Sequence, residues 1–227
     1  MKENTYILAI DHGTSGFKPA IATIQGEILA SESEKTPLHL LPHGGAEQDP
    51  KDWWNSFLKS TKRLLDKNIV PREQIGAICD SGQWGCTVAV DKTGNPLMNV
   101  VSWMDTRGQP HVKKAMKGLI NISGYSIFNV LKWVPKTGGA PALAGKDPIA
   151  HILYIKNEHP EIYQQTYKFL EAKDYINLRL TGKFAASYDS IHLHWVTNIN
   201  DLANIHYESE LIRSEEHTSE LQSPNTI

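Results

Sequence analysis

Cysteine is nearly absent from this 227-residue chain: Cys79 and Cys86 are the only two. One pair cannot make a disulfide framework, so a reduced, cytoplasmic setting is expected. Long apolar runs are missing as well. No stretch approaches the ~18 uninterrupted apolar residues of a membrane-crossing helix, so no membrane partner is expected. The opening Met1-Lys2-Glu3-Asn4 is polar where a signal peptide requires an apolar run. Charge of one sign is also lacking: 25 acidic residues stand against 23 basic ones, a net charge of −2, with no block of five like charges. That balance gives no basis for a nucleic-acid partner. What remains is a chain with 40% apolar residues, about 47% with glycine counted, in the globular range and long enough to bury a core as one large domain or one and a half.

The element order reads as α/β. Tyr6 to Ile10 is a short apolar run, the pattern of a strand buried on both faces. It stops at the small-residue loop Asp11-His12-Gly13-Thr14-Ser15-Gly16. Ala20 to Ile24 resumes the strand signal, and Gln25-Gly26 turns the chain into Glu27-Ile28-Leu29. The polar stretch Ser31 to Asp49, with Pro37, Pro42 and Gly44-Gly45, predicts a surface loop. Asp49-Pro50 predicts a helix start, aspartate as N-cap and proline at the first helical position. Trp53, Trp54, Phe57, Leu58, Thr61, Leu64 and Leu65 then fall on one helical face.

The strand–loop–strand theme repeats: Ile75 to Gly82 echoes Ile7 to Gly13, and strands over 87–90 and 97–103 flank the Asp91–Asn95 turn. Two copies predict a mixed sheet whose strand ends gather two loops at one edge. Beyond Trp103 the chain predicts helices over 105–116, 147–158 and 171–180, the last stopped at Gly182. Gly138 and Gly139 mark an intervening loop.

Three loops carry candidate chemistry. Asp11 to Lys18 fits neither a Walker A motif, since no Gly-Lys-Ser/Thr follows at the right distance, nor a dinucleotide fingerprint, since a strand rather than a helix comes next. It offers backbone N–H groups, two hydroxyls and a lysine, the groups that cradle phosphate oxygens, and Asp11 could hold a hydrated Mg²⁺ beside them. The same string also makes an ordinary Gly-rich hairpin. Ser81-Gly82-Gln83-Trp84-Gly85 pairs an amide with a large aromatic, which suits sugar hydroxyls and the apolar sugar face, though core packing is the commoner use of such a tryptophan. In Ser102-Trp103-Met104-Asp105-Thr106-Arg107, Asp105 either N-caps the next helix or, with Trp103 and Arg107, faces polyol hydroxyls.

Together these loops carry a resemblance to the FGGY family of carbohydrate kinases. The matching strings are Ala9-Ile10-Asp11-His12-Gly13-Thr14-Ser15, Ala46-Glu47-Gln48-Asp49-Pro50-Lys51-Asp52-Trp53-Trp54, Ser81-Gly82-Gln83, Trp103-Met104-Asp105-Thr106-Arg107 and Leu180-Thr181-Gly182-Lys183, in order over residues 5 to about 212. The resemblance implies an α/β, ribonuclease H-like (actin- and hexokinase-like) first domain of a two-domain sugar kinase. It implies ATP and Mg²⁺ as cofactors and a small sugar or polyol as substrate. Asp11, Gly13, Thr14, Ser15 and Lys18 would face the ATP phosphates and metal, Asp11 through water. Gln83, Trp84, Trp103 and Asp105 would line the sugar pocket. A homodimer is possible for such a kinase at full length. The rival reading is a non-catalytic nucleotide- or sugar-binding protein on the same fold.

The chain departs from the family pattern in two ways. Xylulose kinases typically read Gly-Gln-Met-His-Gly where this chain has Gly82-Gln83-Trp84-Gly85-Cys86, which puts D-xylulose in doubt. The family's general base is an aspartate in a Gly-Asp context, and no Gly-Asp pair occurs here. The last fifteen residues, Arg213 to Ile227, lack apolar periodicity, and Arg213 to Ser223 resembles a translated sequencing adapter. Residues 1–212 are therefore expected to be an incomplete first domain and 213–227 a non-native tail. The catalytic base and the C-terminal kinase domain would lie beyond it, leaving this chain inactive. His192 and His194 lack a third ligand at a convincing spacing for a metal site, and Cys79 and Cys86 are expected to pack in the core.

Overall fold

A computed structural model describes residues 5–214, so most of the expected non-native tail lies outside the described residues. The chain divides into two compact units, Met1–His39 with Gln48–Gln83, and Leu40–Glu47 with Trp84–Ile227.

The first unit is built on a mixed sheet. Strands β1 (Tyr6–Gly13) and β2 (Gly16–Thr23) form an antiparallel hairpin closed by the two-residue turn Thr14-Ser15, with Gly13 opposite Gly16. Strand β3 (Ile28–Ser31) and the short β4 (Glu34–Lys35) pair with the other edge of β2. Gly16 has φ +148°, and a Cβ there would stand 2.0 Å from the Glu34 carbonyl oxygen, so β4 can approach the hairpin only over a glycine. Helix α1 (Pro50–Asp66) begins as expected: Asp49 accepts from the Lys51 N–H, and Pro50 takes the first turn. Its Trp53, Phe57, Thr61 and Leu64 are buried, while Leu58 is exposed, about 100° round the helix from Phe57. Strand β7 (Ile75–Gly82) runs parallel to β1, giving the order β3-β2-β1-β7.

Two expectations change in this unit. Strand β1 alternates, with Leu8, Ile10 and His12 fully buried and Ile7 and Ala9 only partly so, because its core-facing side chains recur at the strand period of two. Strand β7 stands at the sheet edge with Ala77, Ile78 and Cys79 exposed, so Cys79 is not a core residue, whereas Cys86 is.

In the second unit, the expected surface loop over residues 31–49 is in large part strand: β5 (His39–Leu41) and β6 (Gly45–Gln48) join β9 (Val100–Val101) in a three-stranded sheet. Strand β8 (Val88–Val90) is the second repeat's hairpin strand, yet it pairs with β12 (Lys168–Leu170) and not with β7. The repeat is thus one of sequence pattern more than of sheet position. Helix α2 (Gln109–Met116) starts four residues later than expected. A short hairpin, β10 (Asn121–Ile122) and β11 (Tyr125–Ser126), then leads into α3 (Ile127–Thr137), a helix the sequence reading passed over. Helix α4 (Pro148–Glu158), buried along its first two turns, starts behind Asp147, whose carboxylate accepts from the Ala142 N–H and the Trp195 indole instead of capping the helix. It is followed by α5 (Pro160–Gln165), α6 (Ala172–Thr181), which ends on left-handed Gly182, and α7 (Tyr188–His192). The unit closes with the β13 (Thr197–Asn198) and β14 (His206–Tyr207) pair and α8 (Ser209–Ser214). Its core gathers Val112, Met116, Trp133, Ile149, Leu153, Val196 and Leu211. No helix among the described residues is long and apolar enough to cross a membrane.

Candidate functional site

Parallel pairing of β1 with β7 sets Asp11 beside Ser81 and His12 beside Gly82. The Gln83 N–H donates to the His12 carbonyl at 2.7 Å. The Asp11–Lys18 hairpin and the start of the second loop therefore emerge side by side at one end of the sheet, as the doubled motif predicts. On the hairpin, Asp11 faces Lys18 across the strands, and the Lys18 ammonium donates to Asp11 Oδ2 at 2.8 Å. Both side chains are more than half exposed, so this pair is an available charge couple more than a stabilising one. A Cβ added to Gly13 would lie 3.4 Å from Lys18 Nζ, so the lysine reaches back over a bare backbone. Beside the turn lies a cavity of about 560 Å³ whose lining includes Thr14, Ser15, Lys18, Ser33, Lys35 and Thr36.

Beneath the hairpin sits a buried polar chain that sequence reasoning missed. His12 is fully buried, stacked on Phe17 at 4.0 Å and met edge-on by Trp53 at 4.3 Å. Burial holds its imidazole far below the usual histidine range, at about 3, so the ring is neutral. Gln83 Nε2 lies 3.4 Å from His12 Nε2 and donates to Gln48 Oε1 at 2.9 Å. Gln48 Nε2 in turn donates to the carbonyls of Thr14 (3.0 Å) and Pro37 (3.1 Å). Gln48 thus ties the hairpin tip to Gln83. The signal was present in the Glu47-Gln48-Asp49-Pro50 string, but a glutamine there reads as a polar residue ahead of a helix cap. Gln83 Oε1 is buried and has no hydrogen-bond partner among the described residues.

The second unit holds the rest of the predicted sugar residues. Trp84 and Trp103 are 61% and 40% exposed. Gly85, at φ +83°, lies so close that a Cβ would sit 3.3 Å from Trp103 Cβ. Two exposed indoles thus rise from adjoining loops. Glu171 fixes the first of these loops, its Oε2 accepting from the N–H groups of Gly85 (3.1 Å) and Cys86 (3.2 Å). Burial, reinforced by the neighbouring Asp174 carboxylate, pushes Glu171 up to about 8, and Asp174 is itself raised to about 6 by burial.

Asp105 has no exposed surface. Its carboxylate accepts from the Ala46 N–H (2.9 Å), the Arg107 N–H (2.8 Å) and the Arg107 guanidinium at Nε (2.9 Å) and Nη2 (2.7 Å). Arg107 also donates to Glu47 Oε1 at 2.6 Å and stacks 4.5 Å from the Tyr154 ring centre. Asp105 does not N-cap α2, which begins four residues later behind Gly108. It pins the third loop to β6. The described residues hold no group of three or more metal-ligating side chains.

Similarity to known proteins runs along nearly all of this framework. The model for the N-terminal domain of the FGGY family of carbohydrate kinases matches residues 6–221. The chain is 27% identical over 209 residues to the xylulose kinase of Bacillus subtilis, covering 88% of this chain and 39% of that protein. It is 26% identical over 199 residues to the gluconokinase of Bacillus licheniformis, covering 88% of this chain and 36% of that protein. The crystal structure of the ligand-bound xylulose kinase from Lactobacillus acidophilus superposes with a TM-score of 0.77 at 26% identity, over 95% of this chain and 41% of that one. The chain thus spans about two fifths of the length of its relatives, and its mixed α/β architecture is the actin- and hexokinase-like fold of sugar kinases. On sequence and fold together, this chain belongs to the FGGY family of carbohydrate kinases, and the region it matches is that family's N-terminal domain.

Proposed function

We propose that this domain serves ATP-dependent phosphorylation of a hydroxyl on a small sugar or polyol, in the cytoplasm. The observation that supports it best is the side-by-side emergence of the Asp11–Lys18 hairpin and the Gln83 loop from β1 and β7, joined beneath by Gln48. A phosphoryl-transfer site needs a phosphate cradle next to a hydroxyl-binding loop, because positioning and charge neutralisation do most of the work. In this reading Gly13, Thr14, Ser15 and Lys18 hold phosphate oxygens. A single exposed carboxylate, Asp11, suits a Mg²⁺ that keeps most of its water. When bound, that ion neutralises phosphate charge.

Gln83 Oε1, buried and without a partner among the described residues, is the group we assign to a sugar hydroxyl. Trp84 and Trp103 supply apolar faces, and Asp105 acts on the sugar through the loop that it and Arg107 hold. The general base and the second kinase domain are assigned to the part of the relatives' length that this chain does not cover, and residues 213–227 to a non-native tail. It follows that purified residues 1–227 give no sugar-dependent ADP release in a coupled assay. Turnover above the no-sugar background would place a base within this chain and overturn that assignment.

A further inference from the structure

The chain around β4 sorts its charges by strand alternation. Glu32 and Glu34 turn toward α1, where Arg63 meets both (3.3 and 2.7 Å) and Lys67 meets Glu32 (2.6 Å). Lys35, at the alternate position of β4, falls on the opposite face of the sheet. Register sets what shares that face. Lys35 stands opposite Gly16, Gly16 opposite Gly13, and two residues along β2 Lys18 stands opposite Asp11. Gly13 and Gly16 therefore leave a strip of bare backbone across the hairpin, with Lys35 at one end and the Lys18 ammonium reaching over the other. Both lysines, with Thr14 and Ser15, line the cavity of about 560 Å³ beside the turn. The position of Lys35 is fixed by its backbone: the Thr36 N–H donates to the Ser15 carbonyl at 3.1 Å, and the Ser56 hydroxyl donates to the Lys35 carbonyl at 3.1 Å.

Three charged side chains line this cavity. Lys18 is balanced by Asp11 and Glu34 by Arg63, whereas Lys35 has no ion pair among the described residues. One uncompensated positive charge thus borders the bare strip, and a polyanion needs such a charge beyond the neutral Asp11–Lys18 couple. As diagonal neighbours on antiparallel strands, Lys18 and Lys35 have Cα atoms about 7–8 Å apart. A chain of two or three phosphates matches that span better than a single phosphate does.

We infer that Lys35 is a second phosphate-binding cation, holding one end of a nucleoside triphosphate's phosphate chain over the Gly13–Gly16 strip while Lys18 holds the other. The inference rests on the phosphate reading of the hairpin proposed above and adds to it a residue from outside the hairpin. Calorimetric titration of the purified chain with inorganic tripolyphosphate, at low ionic strength and without divalent cations, tests it. Lys18→Gln and Lys35→Gln should each weaken binding about tenfold, and Lys35→Arg should stay within about threefold of the wild type. Lys62→Gln, a change of an exposed lysine on α1 of the same unit, should leave binding unchanged. Orthophosphate should lose less than about threefold to Lys35→Gln, because it does not bridge the two lysines. Melting should be unaffected throughout, since Lys18, Lys35 and Lys62 are all exposed. Binding that falls with Lys18→Gln but not with Lys35→Gln would overturn the inference and leave the hairpin reading standing. An equal loss with Lys62→Gln, or an equal loss for orthophosphate, would also overturn it, the first by reducing the effect to surface charge and the second by making Lys35 a single-phosphate site. Indifference to both Lys18→Gln and Lys35→Gln, or no binding by the wild-type chain, would overturn the hairpin reading and the inference with it.

Discussion

At the scale of single residues, the decisive contacts involve small side chains and buried charge. Gly16 sits where a Cβ would enter the Glu34 carbonyl, in a conformation that L side chains rarely adopt. Gly16→Ala should therefore cost about 2–4 kcal/mol, read as a lower urea midpoint at unchanged m-value. A loss within error would mean that the β4 approach is soft. Asp105 presents the opposite case, a carboxylate with every bond made inside the protein. Asp105→Ala leaves the half-buried Arg107 guanidinium with Glu47 alone and should destabilise the chain by about 3–5 kcal/mol. A chain that melts normally without Asp105 would return it to the role of a direct sugar ligand. The sequence showed Asp105 as chemically significant but not why, because a carboxylate two residues before an arginine looks the same whether it faces solvent or a backbone N–H 59 residues away.

Among elements, the N-terminal hairpin, the Asp49–Pro50 helix start and the Gly182 helix stop were legible because each is written in local chemistry: turn residues, a cap and a left-handed glycine. The strands within residues 31–49 were not, since short strands with prolines carry no period-two signal and owe their existence to a partner fifty residues downstream. Helix α3 was overlooked because Pro135 inside it and Gly138 directly behind it are breaker signals, although its last turn accommodates both. The loop after β7 depends on a distant element too, the Glu171 carboxyl at the start of α6. Folding raises that group from the usual 4.5 to about 8, so the folded state binds the extra proton, and stability should fall as pH rises from about 4.5 through 8. Glu171→Gln keeps an oxygen for the two N–H groups and cannot ionise. Thermal melts should show the alkaline decline flattened in this variant, and an unchanged slope would place the titration elsewhere. On the acid side the buried imidazoles of His12, His151 and His194 are depressed to about 3, 4 and 4. Their contribution should be present above about 6.5 and lost as pH falls toward 4.

For the whole molecule, membership of the carbohydrate kinases was legible because five motifs occur in order, while the identity of the sugar was not. On the proposed reading the second loop contacts the sugar, and there the chain has Trp84 and Gly85 where xylulose kinases typically carry methionine and histidine. An indole more than half exposed on that loop and a missing imidazole change both shape and hydrogen bonding. In a chimera that restores the part of the relatives' length this chain does not cover, D-xylulose should accordingly give a lower kcat/KM than at least one other ketose, aldonate or polyol in a substrate panel, and the reverse ranking would remove Trp84 from specificity. The central claim, that the β1–β2 hairpin positions ATP phosphates for transfer, is tested most directly by coupled ADP release from residues 5–212 joined to the C-terminal portion of the Bacillus subtilis xylulose kinase, with and without Asp11→Asn. The account predicts sugar-dependent turnover whose kcat falls at least about a hundredfold in the variant while sugar KM stays within about threefold. An active chimera whose kcat is untouched by Asp11→Asn would contradict it.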